Sequence, residues 1–260
     1  MAADGSIVID VRADTKQATS ALAKLGKLAL AAFAVDKIID FSKQAIQLGS
    51  DIAEVQNVVD VAFGDMSSAV DEFAQNAITN FGISELAAKR TASTYMAMAS
   101  NMGLSQAEAA EMSLTLTGLT GDVESFYNIS QELADIKLKS VFTGETETLK
   151  DLGIVMTQAN LEAFALSQGI SKSISEMSQA ELVTLRYNFV LDQLSLASGD
   201  FIRTQDSWAN QTRILSMQWE QFMSIIGQAL IQVLLPVVQV LNRIVSALID
   251  MANAFNAAIT

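Results

Sequence analysis

The sequence predicts a mostly all-α protein: a multi-helix bundle with one short N-terminal β-strand and long helices at its N- and C-terminal ends. Three observations carry this. Half of the 260 residues are hydrophobic but only 7% are aromatic, so the apolar content is mainly Ala, Leu, Ile, Val and Met; Ala, Leu and Met are strong helix formers. The chain has a single proline, Pro236, so ring chemistry almost never interrupts a helix. Glycines and small polar residues recur where helix ends need them.

Residues Ser6–Asp14 (SIVIDVRAD) place Ile7, Ile9, Val11 and Ala13 on one side and Ser6, Val8, Asp10 and Arg12 on the other. That is the period of two of a strand. A lone strand leaves its edges unpaired, so it is expected to pair with another copy, a partner or a weak second strand. A helix follows from about Thr15 to Leu48, in which Ala31, Ala34, Ile38, Phe41, Ala45 and Leu48 repeat at spacings of 3 and 4. Both a coiled-coil seam and an ordinary amphipathic face fit this pattern.

Beyond Gly49 the sequence reads as shorter helices. Asp51 caps one that runs to Phe63 and stops at Gly64. Ser67 caps the next, to Phe81, with Gly82 as the stop. Ser84 opens another, with Glu85 in its first turn, and Gly103 ends it. Ser105 with Glu108 and Ser178 with Glu181 have capping-box spacing. Thr143–Leu152 begins as a polar loop, a break falls near Gly169–Ser175, and Gly199–Ser207 reads as a hinge. The expected organisation is therefore a strand plus long helix over 1–50, a globular helical bundle over 51–200 and a long hydrophobic helical segment over 201–260.

In that last segment Trp208, Leu215, Trp219, Phe222 and Ile226 follow heptad-like spacing. Ala229–Ile249 is far more apolar. Gln228, Gln232, Gln239, Arg243 and Asp250, spaced by 4, 7, 4 and 7, fall on one narrow helical face. Such a helix suits the core of a homo-oligomer. It also suits a membrane-active segment (225–250) whose glutamines line a pore or pack against other copies, or a buried central helix. Pro236 is expected to kink it or divide it in two.

Charge and composition exclude several classes of function. The net charge is −13, and residues 51–150 carry 15 acidic against 5 basic side chains. Such a surface repels phosphate backbones, so no nucleic-acid sequence recognition is expected. There is no Cys and no His, which removes disulfides, thiolate chemistry, the usual zinc sites and Ser-His-Asp or Cys-His arrangements. The pairs Asp71–Glu72, Glu108–Glu111 and Glu145–Glu147 sit in expected helix first turns or a loop, where negative charge suits the dipole or solvent. No Walker, GxGxxG or EF-hand spacing is present. The expectation is a protein that is not an enzyme, with no catalytic residue, cofactor or metal. The apolar run Leu28–Val35 is too short to span a bilayer.

Several blocks, in order, carry a resemblance: Ala53–Gly64 (AEVQNVVDVAFG), Thr120–Asn128 (TGDVESFYN), Phe142–Val155 (FTGETETLKDLGIV), Leu166–Leu182 (LSQGISKSISEMSQAEL) and Gly199–Leu215 (GDFIRTQDSWANQTRIL). Together they resemble the N-terminal region of phage tail tape measure proteins, also called phage minor tail proteins, over about residues 5–250. The positions that carry it are Glu54, Gln56, Asn57, Gly144, Gly153, Gly199, Asp200, Ser207, Trp208, Asn210 and Gln211.

The resemblance implies a structural part made in the bacterial host cytoplasm and lodged in the lumen of the virion tail, where its length sets the length of the tube. It implies contacts with further copies of itself, the tail tube protein, tail assembly chaperones and distal tail or baseplate proteins, and later help in breaching the cell envelope. One departure stands out. Tapes are usually much longer, and a fully helical chain of 260 residues spans at most ~390 Å at about 1.5 Å per residue. A short tape, a fragment of a longer one and a prophage remnant all fit, and no peptidase or lysozyme-like block follows the apolar segment. Two alternatives are a stand-alone helical membrane-permeabilising protein and a helical scaffold with no phage link.

Overall fold

The computed structural model describes residues 35–259, with side chains from 40 to 251 and at 253. The expected strand over 6–14, the start of the N-terminal helix, Ala31, Ala34 and the Ile38 side chain lie outside the described residues. Within them the protein is helical and no strand occurs.

Helix α1 spans Val35–Phe63 without a break at Gly49, so the expected stop there and the Asp51 cap are corrected. Asp51 instead accepts a hydrogen bond from Gln47 one turn back, at 3.0 Å. Gly49 serves a different purpose: a Cβ built on it would lie 2.6 Å from the backbone of Gly227 and Gln228. The residue admits another helix rather than ending its own. A 3₁₀ turn, Gly64–Met66, leads into α2 (Ser67–Phe81), whose N-cap is Met66; Ser67 is not the cap. Gly82 closes α2 in the left-handed conformation, as its sequence position predicts.

Capping explains the next elements. Ser84 caps α3 (Glu85–Asn101), and the Ser105–Glu108 box opens α4 (Gln106–Tyr127). Ser130 caps α5 (Gln131–Leu138). The expected loop over 143–152 contains parts of two single-turn helices, α6 (Ser140–Thr143) and α7 (Glu147–Lys150), with Gly144 turning between them at φ +75°. Thr157 caps α8 (Gln158–Ser167), and the expected break follows it. There, Ser173 and Glu176 form a further capping box on a 3₁₀ turn that sequence reading missed.

The Ser178–Glu181 box opens α9 (Gln179–Gln193). The Lys172 ammonium at 2.7 Å, with the Ser178 N–H, holds Glu181 down at about 2. A depressed carboxylate adds stability that is complete above its ordinary value of 4.5 and lost as pH falls toward 2. Ser178→Ala is expected to lower stability by about 1 kcal/mol at neutral pH, and by less as pH falls from 4.5 toward 2, where the contribution of Glu181 is lost. Thermal melts across pH check this.

One core runs from Val55, Val59 and Phe63 of α1 through Tyr95 and Met96 of α3 and Leu116 and Val123 of α4 to Val190, Leu194 and Ala197. A smaller cluster joins Ala74, Ala77, Ile83 and Ala88 beneath Phe73 and Phe81. Lys89 of α3 is buried between Glu85, at 2.8 Å, and Asp71, at 3.1 Å. Burial works to lower this ammonium; the two carboxylates outweigh it and hold it above its ordinary value.

Short α10 (Asp200–Thr204) precedes α11, a single helix of 52 residues from Trp208 to Ile259 that contains Pro236. The expected division at Pro236 does not occur. The heptad-like face is also reassigned: Trp208, Leu215, Trp219 and Phe222 are exposed, while Met217, Met223, Ser224 and Gly227 face inward.

Candidate functional site

Two features of α11 stand apart: how its root is held, and how little covers the rest. The root begins at Gly199, in the left-handed region at φ +73°, which glycine adopts without the usual steric penalty. Its N–H donates to Asp122 Oδ2 at 2.7 Å, and the N–H of Phe201 donates to Asp122 Oδ1 at 3.2 Å. Burial pushes the Asp122 carboxyl above its ordinary range, while these two N–H groups pull against that. Ser125 of α4 donates to Asp200 Oδ2 at 2.7 Å. The segment read as a hinge is therefore pinned along α4.

Phe201 is fully buried, and Gly82 makes room for it: a Cβ there would sit 2.3 Å from the ring. Above the ring, 5.4 Å from its centroid, lies the guanidinium of Arg213. Arg213 Nη2 donates to the carbonyl of Gly82 and to Glu124 Oε2, the latter at 2.6 Å. One side chain thus ties α11 to the end of α2, to α4 and to α10. Burial pushes Glu124 up to about 7 even though Arg213 pulls it down. A raised carboxylate adds stability that is complete below its ordinary value of 4.5 and lost as pH rises through about 7. Glu124→Gln is expected to flatten the change in Tm between pH 5 and 8, relative to the parent protein.

Five of the expected motif residues meet at this root. Besides Gly199 and Asp200, the Ser207 hydroxyl accepts from the N–H of Asn210 at 3.2 Å and caps α11. Asn210, itself buried, donates to Thr204 O at 3.0 Å, and Gln211 donates to Gln205 O at 3.0 Å. Trp208 points away and is 85% exposed. The remaining motif residues lie elsewhere. Glu54 and Asn57 are on the exposed side of α1, and Gln56 bridges α1 to α2 through Asp71 at 3.3 Å. Gly144 packs on the Arg186 guanidinium, and Gly153 turns the chain at φ +75° in open space. Asp122 and Glu124 lie inside one of the quoted blocks, and Arg213 inside another, but nothing in the sequence marked them as partners.

Past the root, α11 packs on α1. The tightest point is Gly227, where a Cβ would lie 1.7 Å from the carbonyl oxygen of Ala45. Gln228 is still partly buried there, whereas every residue from Gln232 to Met251 is exposed, including Gln239, Arg243 and Asp250. The reading of this stretch as a buried central helix is thus overturned. Trp208–Met251 is long and apolar enough to cross a membrane by length and composition.

Among the described residues no group of three or more acidic side chains could hold a metal ion. A groove of about 400 Å³ between α1 and α3 is walled by Val55, Val58, Ala97 and Met98 and is lined by no carboxylate. Comparison with protein-family models, with curated proteins and with solved structures finds no match for this chain. Fold and site together define an all-α helical-bundle protein that projects one long, bare, apolar helix.

Proposed function

We propose that this chain is a structural phage tail protein similar to tail tape measure proteins, acting in tail-length determination and tail assembly and in genome delivery through the cell envelope. The observation that supports this most is α11, 52 residues long and so roughly 78 Å at about 1.5 Å per residue. Its root is clamped to a folded body and its distal half is left uncovered. A surface of that size without a partner marks a contact site. The ordered sequence blocks supply the tail assignment. In this reading the partners are further copies of the chain, the tail tube protein, assembly chaperones and distal tail or baseplate proteins. The chain is made in the host cytoplasm, comes to lie in the tail lumen, and performs no catalysis.

The test is electron microscopy of tails assembled with and without this chain, and with internal helical turns deleted or duplicated. Tail length should follow chain length. Tails of normal, fixed length in its absence would sink the ruler role. A second reading, a stand-alone membrane-permeabilising protein, draws on the length and apolar composition of the same helix. Under it, the full chain would release dye from liposomes and tail length would be indifferent to its length.

A further inference from the structure

The distal half of α11 is amphipathic in the inverse sense. Between Gln228 and Asn253 its polar residues are Gln228, Gln232, Gln239, Asn242, Arg243, Ser246, Asp250 and Asn253. At 3.6 residues per turn all of them fall within an arc of about 100°. The remaining arc, about 260° wide, is built of Ala, Leu, Ile, Val, Met and Pro236. An amphipathic helix of a soluble protein shows the reverse balance, an apolar stripe on an otherwise polar surface.

The polar residues also keep a register. Gln232, Gln239, Ser246 and Asn253 are spaced by seven, and Gln228, Leu235, Asn242 and Ile249 form the companion series. These are the a and d positions of a heptad seam, occupied mostly by uncharged amides and a hydroxyl. Because α11 continues through Pro236, the ring removes the N–H that would have bonded the carbonyl of Gln232 one turn back. A carbonyl on a seam residue thereby lacks its usual helical donor.

From this register we infer that copies of the chain associate through the Gln228–Asn253 seam with their apolar faces turned outward into lipid acyl chains. This rests on the reading of α11 as the contact element of the chain. Water disfavours the arrangement because it leaves the wide apolar arc exposed. Lipid favours it because acyl chains cover that arc, while an isolated amide in hydrocarbon needs a partner. Arg243 and Asp250 lie at one edge of the seam, one heptad apart, and charged side chains within a bundle face its interior and pair there.

The absence of cysteine gives a clean test. Full-length variants with one cysteine each, at Gln239 or Ser246 on the seam and at Val237 or Ile244 on the opposite face, are reconstituted into phosphatidylethanolamine–phosphatidylglycerol vesicles and oxidised. Gln239→Cys and Ser246→Cys should form disulfide-linked dimers, and Val237→Cys and Ile244→Cys should not. Adding Gln239→Leu and Asn242→Leu to the Ser246→Cys chain should lower the dimer fraction about fivefold, the loss of two interhelical hydrogen bonds of the strength seen in membranes. Crosslinking that favours Val237 and Ile244, that is equal at all four positions, or that is absent throughout overturns the inference. None of these outcomes touches the tail-length result, so the two readings fail separately.

Discussion

Gly227→Ala is expected to destabilise the protein by about 3 kcal/mol and to lower its Tm by roughly 6–12 °C. The added Cβ would lie 1.7 Å from the Ala45 carbonyl oxygen and 3.1 Å from the Gly49 nitrogen. Both obstacles are backbone, so no rotamer change relieves them and the two helices must separate. Separation removes the contacts that bury Ala45 and Met223. Hydrogen exchange should show where the damage falls. Amides of residues 41–51 and 217–228 should lose protection, while those of α4 keep it. Unchanged protection in both stretches would mean that α1 and α11 are not held together at this crossing.

Asp122→Ala is expected to cost about 3 kcal/mol, because it strands the N–H of Gly199 and the buried N–H of Phe201. Asp122→Asn keeps one acceptor and should fall between parent and alanine variant. The consequence is positional as well as energetic. Phe201 anchors α10 beside Gly82, and Arg213 of α11 lies over its ring. Loosening residues 199–201 should therefore free the root of α11 while the core around Leu116 and Tyr95 stays folded. Limited proteolysis after Arg203 and Arg213 should accelerate in Asp122→Ala and remain slow in the parent. Equal cleavage rates would show that the root is held by other contacts.

Much of the fold was legible because it follows local rules. The Ser105 and Ser178 boxes, the Ser84 cap and the left-handed Gly82 are each set by a few adjacent residues. The misreadings share one cause. Gly49 looked like a stop and is a crossing point. The 199–207 stretch looked like a hinge and is pinned by Asp122, a carboxylate 77 residues away from Gly199. Trp208, Leu215, Trp219 and Phe222 keep heptad-like spacing and are exposed. Local propensity cannot report a neighbour that is distant in sequence. The polar register of α11 was only half legible: Gln232 and Gln239 were evident, while Ser246 and Asn253 complete the series once the helix is known to be unbroken.

By itself the sequence determined that this protein is helical and where several helices start and stop, since capping and helix propensity act within about one turn. Only the tertiary structure decided which faces are covered. It turned Gly49 and Gly227 into a close crossing, gathered Gly199, Asp200, Ser207, Asn210 and Arg213 around the end of α4, and left α11 bare from Gln232 onward. Burial depends on which elements meet in space, and that is a property of the whole chain.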